Sequence, residues 1–167
     1  MYNELTQTDI DKMKEEMEYR ITVLRPKILD EVKFARSHGD LSENFEYKAA
    51  KQERGKNESR IRFLRNMIKT AVVISDNSKE DEVGLFDKVT YYIEEENEEE
   101  TVMIVTTMRH DALCNIVSKE SPIGSALFGK KVGDKVKIEV DNGYSYEVII
   151  KNIEKGRDDG SLSIRKY

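Results

Sequence analysis

Cysteine is almost absent from this sequence. The lone Cys114 excludes an internal disulfide and any all-cysteine metal site, and a small apolar position in a strand or loop accounts for it. Tryptophan is missing altogether, which removes the largest ring from which an apolar binding pocket could be built. No run of about 18 apolar residues occurs, so no membrane-spanning helix is expected. Met1 to Asp11 carry no basic and apolar leader. Secretion is therefore not expected, and the cytoplasm is.

Charge is what the chain has in abundance. Of 167 residues, 37% are charged and 38% hydrophobic, a balance that suits an exposed rod with a narrow apolar seam better than one large core. The length fits one ordinary domain or two small ones. The charge is uneven: residues 1–75 sum to +2 and residues 76–167 to −7.

The first half reads as two helices. Ile10, Met13, Met17, Ile21, Leu24, Ile28, Val32 and Ala35 recur every three or four residues, one apolar stripe on a helix expected from Thr8 to Arg36 with Thr8 as N-cap. Pro26 falls inside this pattern and should remove a backbone hydrogen bond and bend the helix. Gly39 supplies the positive φ of a C-terminal stop. A second helix is expected from Ser42 or Glu43 to Lys69, with Tyr47, Ala50, Ile61, Leu64 and Ile68 in register, Arg54 and Asn57 as polar interruptions, and Gly55 in its middle. The connection is short enough to force an antiparallel turn. The expectation for residues 1–75 is an antiparallel α-helical coiled-coil hairpin, roughly 28 residues to a side and on the order of 40 Å long.

After a polar linker at 76–81, residues 82–167 change to strand texture. Phe86 to Glu95 and Thr101 to Thr107 are rich in Val, Ile, Thr and Tyr and flank an acidic turn, Glu94 to Glu100. Lys135 to Val140 and Tyr144 to Ile153 alternate around Asp141-Asn142-Gly143, where Asn-Gly signals a two-residue hairpin turn. Pro122 to Phe128 can form a short helix with Ser121 as N-cap and Pro122 at its first position. The sum is a small twisted α+β sheet domain.

Chemistry concentrates between the two helices, in His38-Gly39-Asp40-Leu41-Ser42-Glu43-Asn44. Two readings of its acids stand side by side. In the first, Asp40 caps the second helix and Glu43, three residues on, completes a capping box near the positive end of the dipole. In the second, both carboxylates face outward from the end of a slender rod and serve another molecule's active site. His38 has a similar pair of readings, helix-end dipole partner or contact to a ligand. The second helix carries +4 over residues 43–70, either a solvated face or a basic stripe for a partner's phosphates, with Lys48, Lys51 and Arg54 within about three turns of the tip.

Residues 35–51 (Ala-Arg-Ser-His-Gly-Asp-Leu-Ser-Glu-Asn-Phe-Glu-Tyr-Lys-Ala-Ala-Lys) resemble the tip signature of the bacterial Gre family of transcript-cleavage factors. Residues 121–134, beginning Ser121-Pro122-Ile123-Gly124, resemble the same family's C-terminal domain. The likeness runs from Thr8 to the end. It implies an FKBP-like C-terminal domain and a transcription elongation factor that binds RNA polymerase at its secondary channel. There it would stimulate the polymerase's own hydrolysis of backtracked RNA 3′ ends, so the chain is not itself an enzyme. By position, Asp40 and Glu43 are the family's acidic pair, ligands in trans to Mg2+ of the polymerase, with no ion tightly held by the isolated chain. Gly39, Leu41, Ser42 and Asn44 would shape the tip. Lys48, Lys51 and Arg54 would meet the nascent RNA, and Ser121, Pro122, Ile123 and Gly124 would dock on the polymerase or serve the turn geometry alone. A monomer with no membrane partner is expected.

Two departures stand out. Phe45 replaces a residue that is commonly small, and either alters contacts beside the ions or packs on the hairpin. Thr106 to Ala112 lack the glycine- and acid-containing pattern usual before the Ser-Pro-Ile-Gly block. Among rivals, prolyl isomerisation would need an aromatic-lined pocket and a plain coiled-coil adaptor would need neither acid. A Gre-like paralogue that modulates polymerase without inducing cleavage is the alternative, and the retained Gly-Asp-Leu-Ser-Glu-Asn run argues against it.

Overall fold

A computed structural model describes residues 3–39 and 43–166. The chain divides into two compact units, one comprising residues 10–71 and the other the residues up to Asp9 together with Val72–Lys166. Composition placed the boundary at 76–81, whereas the chain enters the second unit at Val72 and contributes its first residues to it as well.

The helical unit is built from one long helical stretch and one partner. The stretch comprises α1 (Gln7–Tyr19), a π-helical turn (Arg20–Leu24) and α2 (Arg25–Arg36). Its cap is Thr6 rather than Thr8. The Thr6 hydroxyl accepts from the Asp9 amide at 3.3 Å and the Asp9 carboxylate accepts from the Thr6 amide at 2.9 Å, the reciprocal pair of a capping box. Pro26 does not interrupt the helix, because the turn before it is wound wider. The Arg25 amide donates to the Arg20 carbonyl five residues back, and Pro26, which has no donor, sits in the first turn of α2, where its φ suits the helix. Gly39 takes a φ of +119° after the last turn.

The partner helix, α3, spans Phe45–Thr70. Contacts run Glu16–Arg60, Arg20–Asn57, Arg25–Glu58 and Ala35–Asn44, so the helices are antiparallel. Ile10, Met13, Ile28 and Ala35 are buried on one side and Ile61, Leu64 and Met67 on the other. The apolar seam is interrupted by a polar one. Asn57 and Arg60 are 2% and 5% exposed. Arg60 grips Glu16 through two bonds of 2.8 and 2.9 Å, and Arg20 donates to both Glu16 and Asn57. Partial burial alone would raise the Glu16 pKa, but the hydrogen bonds from Arg60 and Arg20 outweigh it and hold the carboxyl below its ordinary value.

The other unit carries a parallel pair, β1 (Glu4–Leu5) with β2 (Val72–Val73), and a five-stranded sheet. In chain order its strands are β3 (Lys88–Ile93), β4 (Glu98–Val105), β5 (Ile116–Ser118), β6 (Lys135–Glu139) and β7 (Ser145–Glu154), arranged β5-β4-β3-β7-β6. Within this sheet only β4 and β5 pair in parallel. The short helix α4 (Pro122–Leu127) starts as expected, with the Ser121 hydroxyl accepting from the Gly124 amide at 3.0 Å. Val89, Tyr91, Ile104, Ile138, Val148 and Ile150, the inward half of the strands' alternation, form the core together with Leu127 of α4.

Two turn expectations change. The acidic run is only half turn, because Glu98, Glu99 and Glu100 pair with Ile93, Tyr92 and Tyr91 inside the sheet. The β6–β7 connection is a three-residue loop rather than a two-residue Asn-Gly turn. The Gly143 amide donates to the Val140 carbonyl and Val140 closes onto Tyr144, both at 2.9 Å, with only Gly143 at positive φ, the type I turn with a following left-handed residue.

The divergent segment 106–112 is structural. Arg109 is 2% exposed and reaches Asp9 at 2.7 Å, Asp158 at 3.0 Å and the Leu162 carbonyl at 2.9 Å. Thr106 donates to the same Asp9 at 2.8 Å. The first residues of the chain are thus held in this unit by a buried charge network whose partners lie far apart in sequence.

Candidate functional site at the end of the helical hairpin

Residues 37–44 connect the two helices, and Asn44 ties the helix ends to each other. The Asn44 side-chain oxygen accepts from the Tyr47 amide at 2.9 Å, which makes Asn44, not Asp40, the N-cap of α3. Its amide nitrogen meanwhile donates to the Ala35 carbonyl in the last turn of α2 at 2.7 Å. One side chain therefore satisfies a free amide at the start of one helix and ties it to a carbonyl at the end of the other. The capping box expected from Asp40 and Glu43 does not form, since the helix begins at Phe45 and Glu43 precedes the cap.

Glu43 is exposed. Asp40, Leu41 and Ser42 lie outside the described residues. Gly39 and His38 are exposed at the end of α2. The His38 Nδ1 lies 2.8 Å from the Phe34 carbonyl, a helix-end contact of the kind its dipole reading anticipated. Lys48, Lys51 and Arg54 are all exposed on α3. Arg60 leaves the basic stripe, because it is buried on Glu16. Among the described residues, no group of three or more His, Cys, Asp or Glu side chains is placed to hold a metal ion. An exposed carboxylate at a hairpin end fits the role of one hard oxygen ligand to a divalent ion that keeps its other ligands elsewhere.

The second block named by the sequence lies at α4, in the other unit. Ser121, Pro122 and Ile123 are partly buried and Gly124 is buried. The Ser121 hydroxyl donates to the Ser118 carbonyl at 2.6 Å, and Ile123 packs on the core. A Cβ on Gly124 would lie 2.0 Å from the Ser118 carbonyl oxygen, so only glycine lets α4 approach β5 that closely. Phe128 is 38% exposed beside the Lys119 ammonium, 5.4 Å from its ring centre. Among the described residues no helix is long and apolar enough to cross a membrane.

Comparison with known proteins bears on the whole chain. Residues 3–73 match the family described as transcription elongation factor, N-terminal, and residues 77–155 match the GreA/GreB C-terminal family. The transcription elongation factor GreA of Macrococcus caseolyticus is 43% identical over 89% of this chain and 94% of its own length. That of Leuconostoc mesenteroides is 44% identical over 87% of this chain and 91% of its own. Among solved structures, GreA factor homolog 1 of Thermus thermophilus is 24% identical, covers 93% of this chain and 100% of its own, and superposes with a TM-score of 0.43.

Proposed function

The chain belongs to the GreA/GreB family of transcription elongation factors, and we propose that it rescues arrested RNA polymerase by promoting cleavage of backtracked RNA. The observation that carries this reading is an exposed glutamate, Glu43, at the end of an antiparallel helical hairpin, within a tip sequence that retains Asp40. In this reading the hairpin behaves as a coiled coil that enters the secondary channel of the polymerase. The sheet unit is FKBP-like and stays at the channel rim, with Ser121 to Gly124 and the adjoining surface in contact there. The chain acts as a monomer in the cytoplasm.

The division of labour follows from residue chemistry. A magnesium ion of the polymerase supplies Lewis-acid polarisation of the scissile phosphate and a water of lowered pKa. The Asp40 and Glu43 carboxylates would offer hard oxygens to that ion and would accept a hydrogen bond from the attacking water, which would orient it. Asn44 holds the two helix ends together, so Glu43 is carried by a braced support rather than a free loop. Lys48, Lys51 and Arg54 face solvent on the side of α3 nearest the tip and attract the phosphates of the extruded strand. The nuclease centre remains the polymerase's own.

The test is direct: the purified chain is added to a polymerase complex stalled in a backtracked register, and released 3′ fragments are counted. Fragment release and resumed elongation are expected. Prolonged arrest with no fragments would instead describe a channel-occupying inhibitor and overturn the proposal.

A further inference from the structure

Near the end of the hairpin two phenyl rings stand largely in solvent. Phe34 is 67% exposed on α2 and Phe45 is 79% exposed at the first position of α3. Phe45 therefore does not pack on the hairpin, one of the two roles its sequence allowed. Leaving a phenyl ring in water forgoes the gain that burial would return, yet here it happens twice at one level of the molecule. Asn44 donates to the Ala35 carbonyl at 2.7 Å. Phe34 immediately precedes that acceptor and Phe45 immediately follows that donor.

Each ring is accompanied by a nitrogen group. The Lys48 ammonium stands 5.5 Å from the Phe45 ring centre. The His38 ring centre lies 4.4 Å from that of Phe34, with the planes tilted by 56°. Lys33 and Arg36 occupy the last turn of α2, and Lys51 lies one turn beyond Lys48; the acids near them in sequence include Glu31, Asp40, Glu43 and Glu46. A protein partner's apolar groove would call for a contiguous apolar patch. Isolated rings interleaved with cations are instead the combination that holds single-stranded nucleic acid, base on ring and phosphate on cation. We infer that Phe45 and Phe34 form a stacking platform for an unpaired base of the extruded RNA, with Lys48 at the adjoining phosphate.

This inference rests on the proposed meeting of the hairpin with backtracked RNA, so its test separates the two. Phe45→Ala, Phe34→Ala and Phe45→Trp are compared with the unsubstituted chain on backtracked complexes. The extruded nucleotides are either ordinary or abasic. Factor binding to each complex is measured beside cleavage. With ordinary bases, Phe45→Ala should weaken binding and subsaturating cleavage about tenfold, Phe34→Ala should weaken both in the same direction, and Phe45→Trp should keep them. On abasic RNA the unsubstituted chain should fall to the level of Phe45→Ala, and the substitution should have no further effect.

Equal behaviour of Phe45→Ala and the unsubstituted chain on ordinary RNA would overturn the platform. So would an undiminished loss on abasic RNA, which would assign the ring to a polymerase contact. Because the ring is exposed, its truncation removes little internal packing, and an unchanged far-ultraviolet spectrum checks this. Asp40→Asn in the same assay identifies which proposal has failed. Loss of cleavage there beside a neutral Phe45→Ala sinks the platform alone. If the unsubstituted chain releases no fragments, the cleavage reading falls, and the difference in affinity between ordinary and abasic complexes still decides the platform.

Discussion

Replacing Asn44 isolates the clamp at the end of the hairpin. Asn44→Ala removes the acceptor of the Tyr47 amide, a cap worth about 1 kcal/mol. It also removes the donor to the Ala35 carbonyl, worth about another 1 kcal/mol. The second loss is limited, because that carbonyl also accepts from the His38 amide at 3.3 Å. The expected local destabilisation is about 2 kcal/mol, roughly thirtyfold in an opening equilibrium. Asn44→Asp should separate the parts, since it keeps an acceptor at the helix N-terminus, where negative charge is favoured, and loses only the donor. Two compact units make a single global unfolding energy a poor gauge, so the assay is residue-resolved hydrogen exchange in the native state. The Tyr47 amide should exchange about thirtyfold faster in Asn44→Ala and far less so in Asn44→Asp. An unchanged Tyr47 amide in Asn44→Ala would refute the reasoning.

Acid should loosen the helical unit through Glu16. Its pKa is depressed by Arg60 and Arg20, so its contribution is present above the ordinary value near 4.5 and is lost as pH falls through the lower folded value. Glu16→Gln should cost about 1.5–3 kcal/mol at neutral pH, and a pH series of urea melts should find the gap closing below that value. Gly124→Ala should destabilise the sheet unit severely, because the added carbon would meet the Ser118 carbonyl oxygen at 2.0 Å; thermal melting measures it, and a Tm within a degree of the original would contradict the close packing. Charge removal at Lys48, Lys51 and Arg54 should weaken cleavage most on long extruded RNAs, with a shallower dependence on salt than the unsubstituted chain. Equal loss at every RNA length would assign these residues to the polymerase instead.

Much of this architecture can be read in the sequence, and the misreadings have local causes. The three- and four-residue recurrence from Ile10 to Ala35 is a burial pattern, and burial is what periodicity reports, so the helices and their antiparallel turn were legible. The cap of α1 was misplaced by two residues because Thr6 and Thr8 both offer hydroxyls, and only the reciprocal bond with Asp9 chooses between them. Pro26 was expected to remove a hydrogen bond and bend the helix; the structure sets it in the first turn of α2 behind a π turn, and the helical stretch continues through it. Asn57 looked like a gap in the apolar stripe and Arg60 like one more cation of the basic face; their partners, Arg20 and Glu16, lie on the other helix, which no single-helix pattern encodes. Likewise Arg109 joins Asp9 to Asp158, a network with no sequence spacing to reveal it. The β1–β2 pair and β5 are two and three residues long, too short for alternation to register. At the site, the tip motif names Glu43, Lys48, Lys51 and Arg54, and the structure leaves all four exposed. The motif did not disclose that Asn44 is the cap, nor that Phe34 and Phe45 face solvent, because exposure of a phenyl ring runs against the ordinary expectation.

The central claim is that the hairpin delivers acidic oxygens to a catalytic site that belongs to the polymerase. Transcript cleavage on a backtracked complex, measured beside binding to the same polymerase for Asp40→Asn and Glu43→Gln, addresses it most directly. The account predicts that both variants bind about as tightly as the unsubstituted chain and release essentially no 3′ fragments. Unimpaired fragment release by both variants would contradict it.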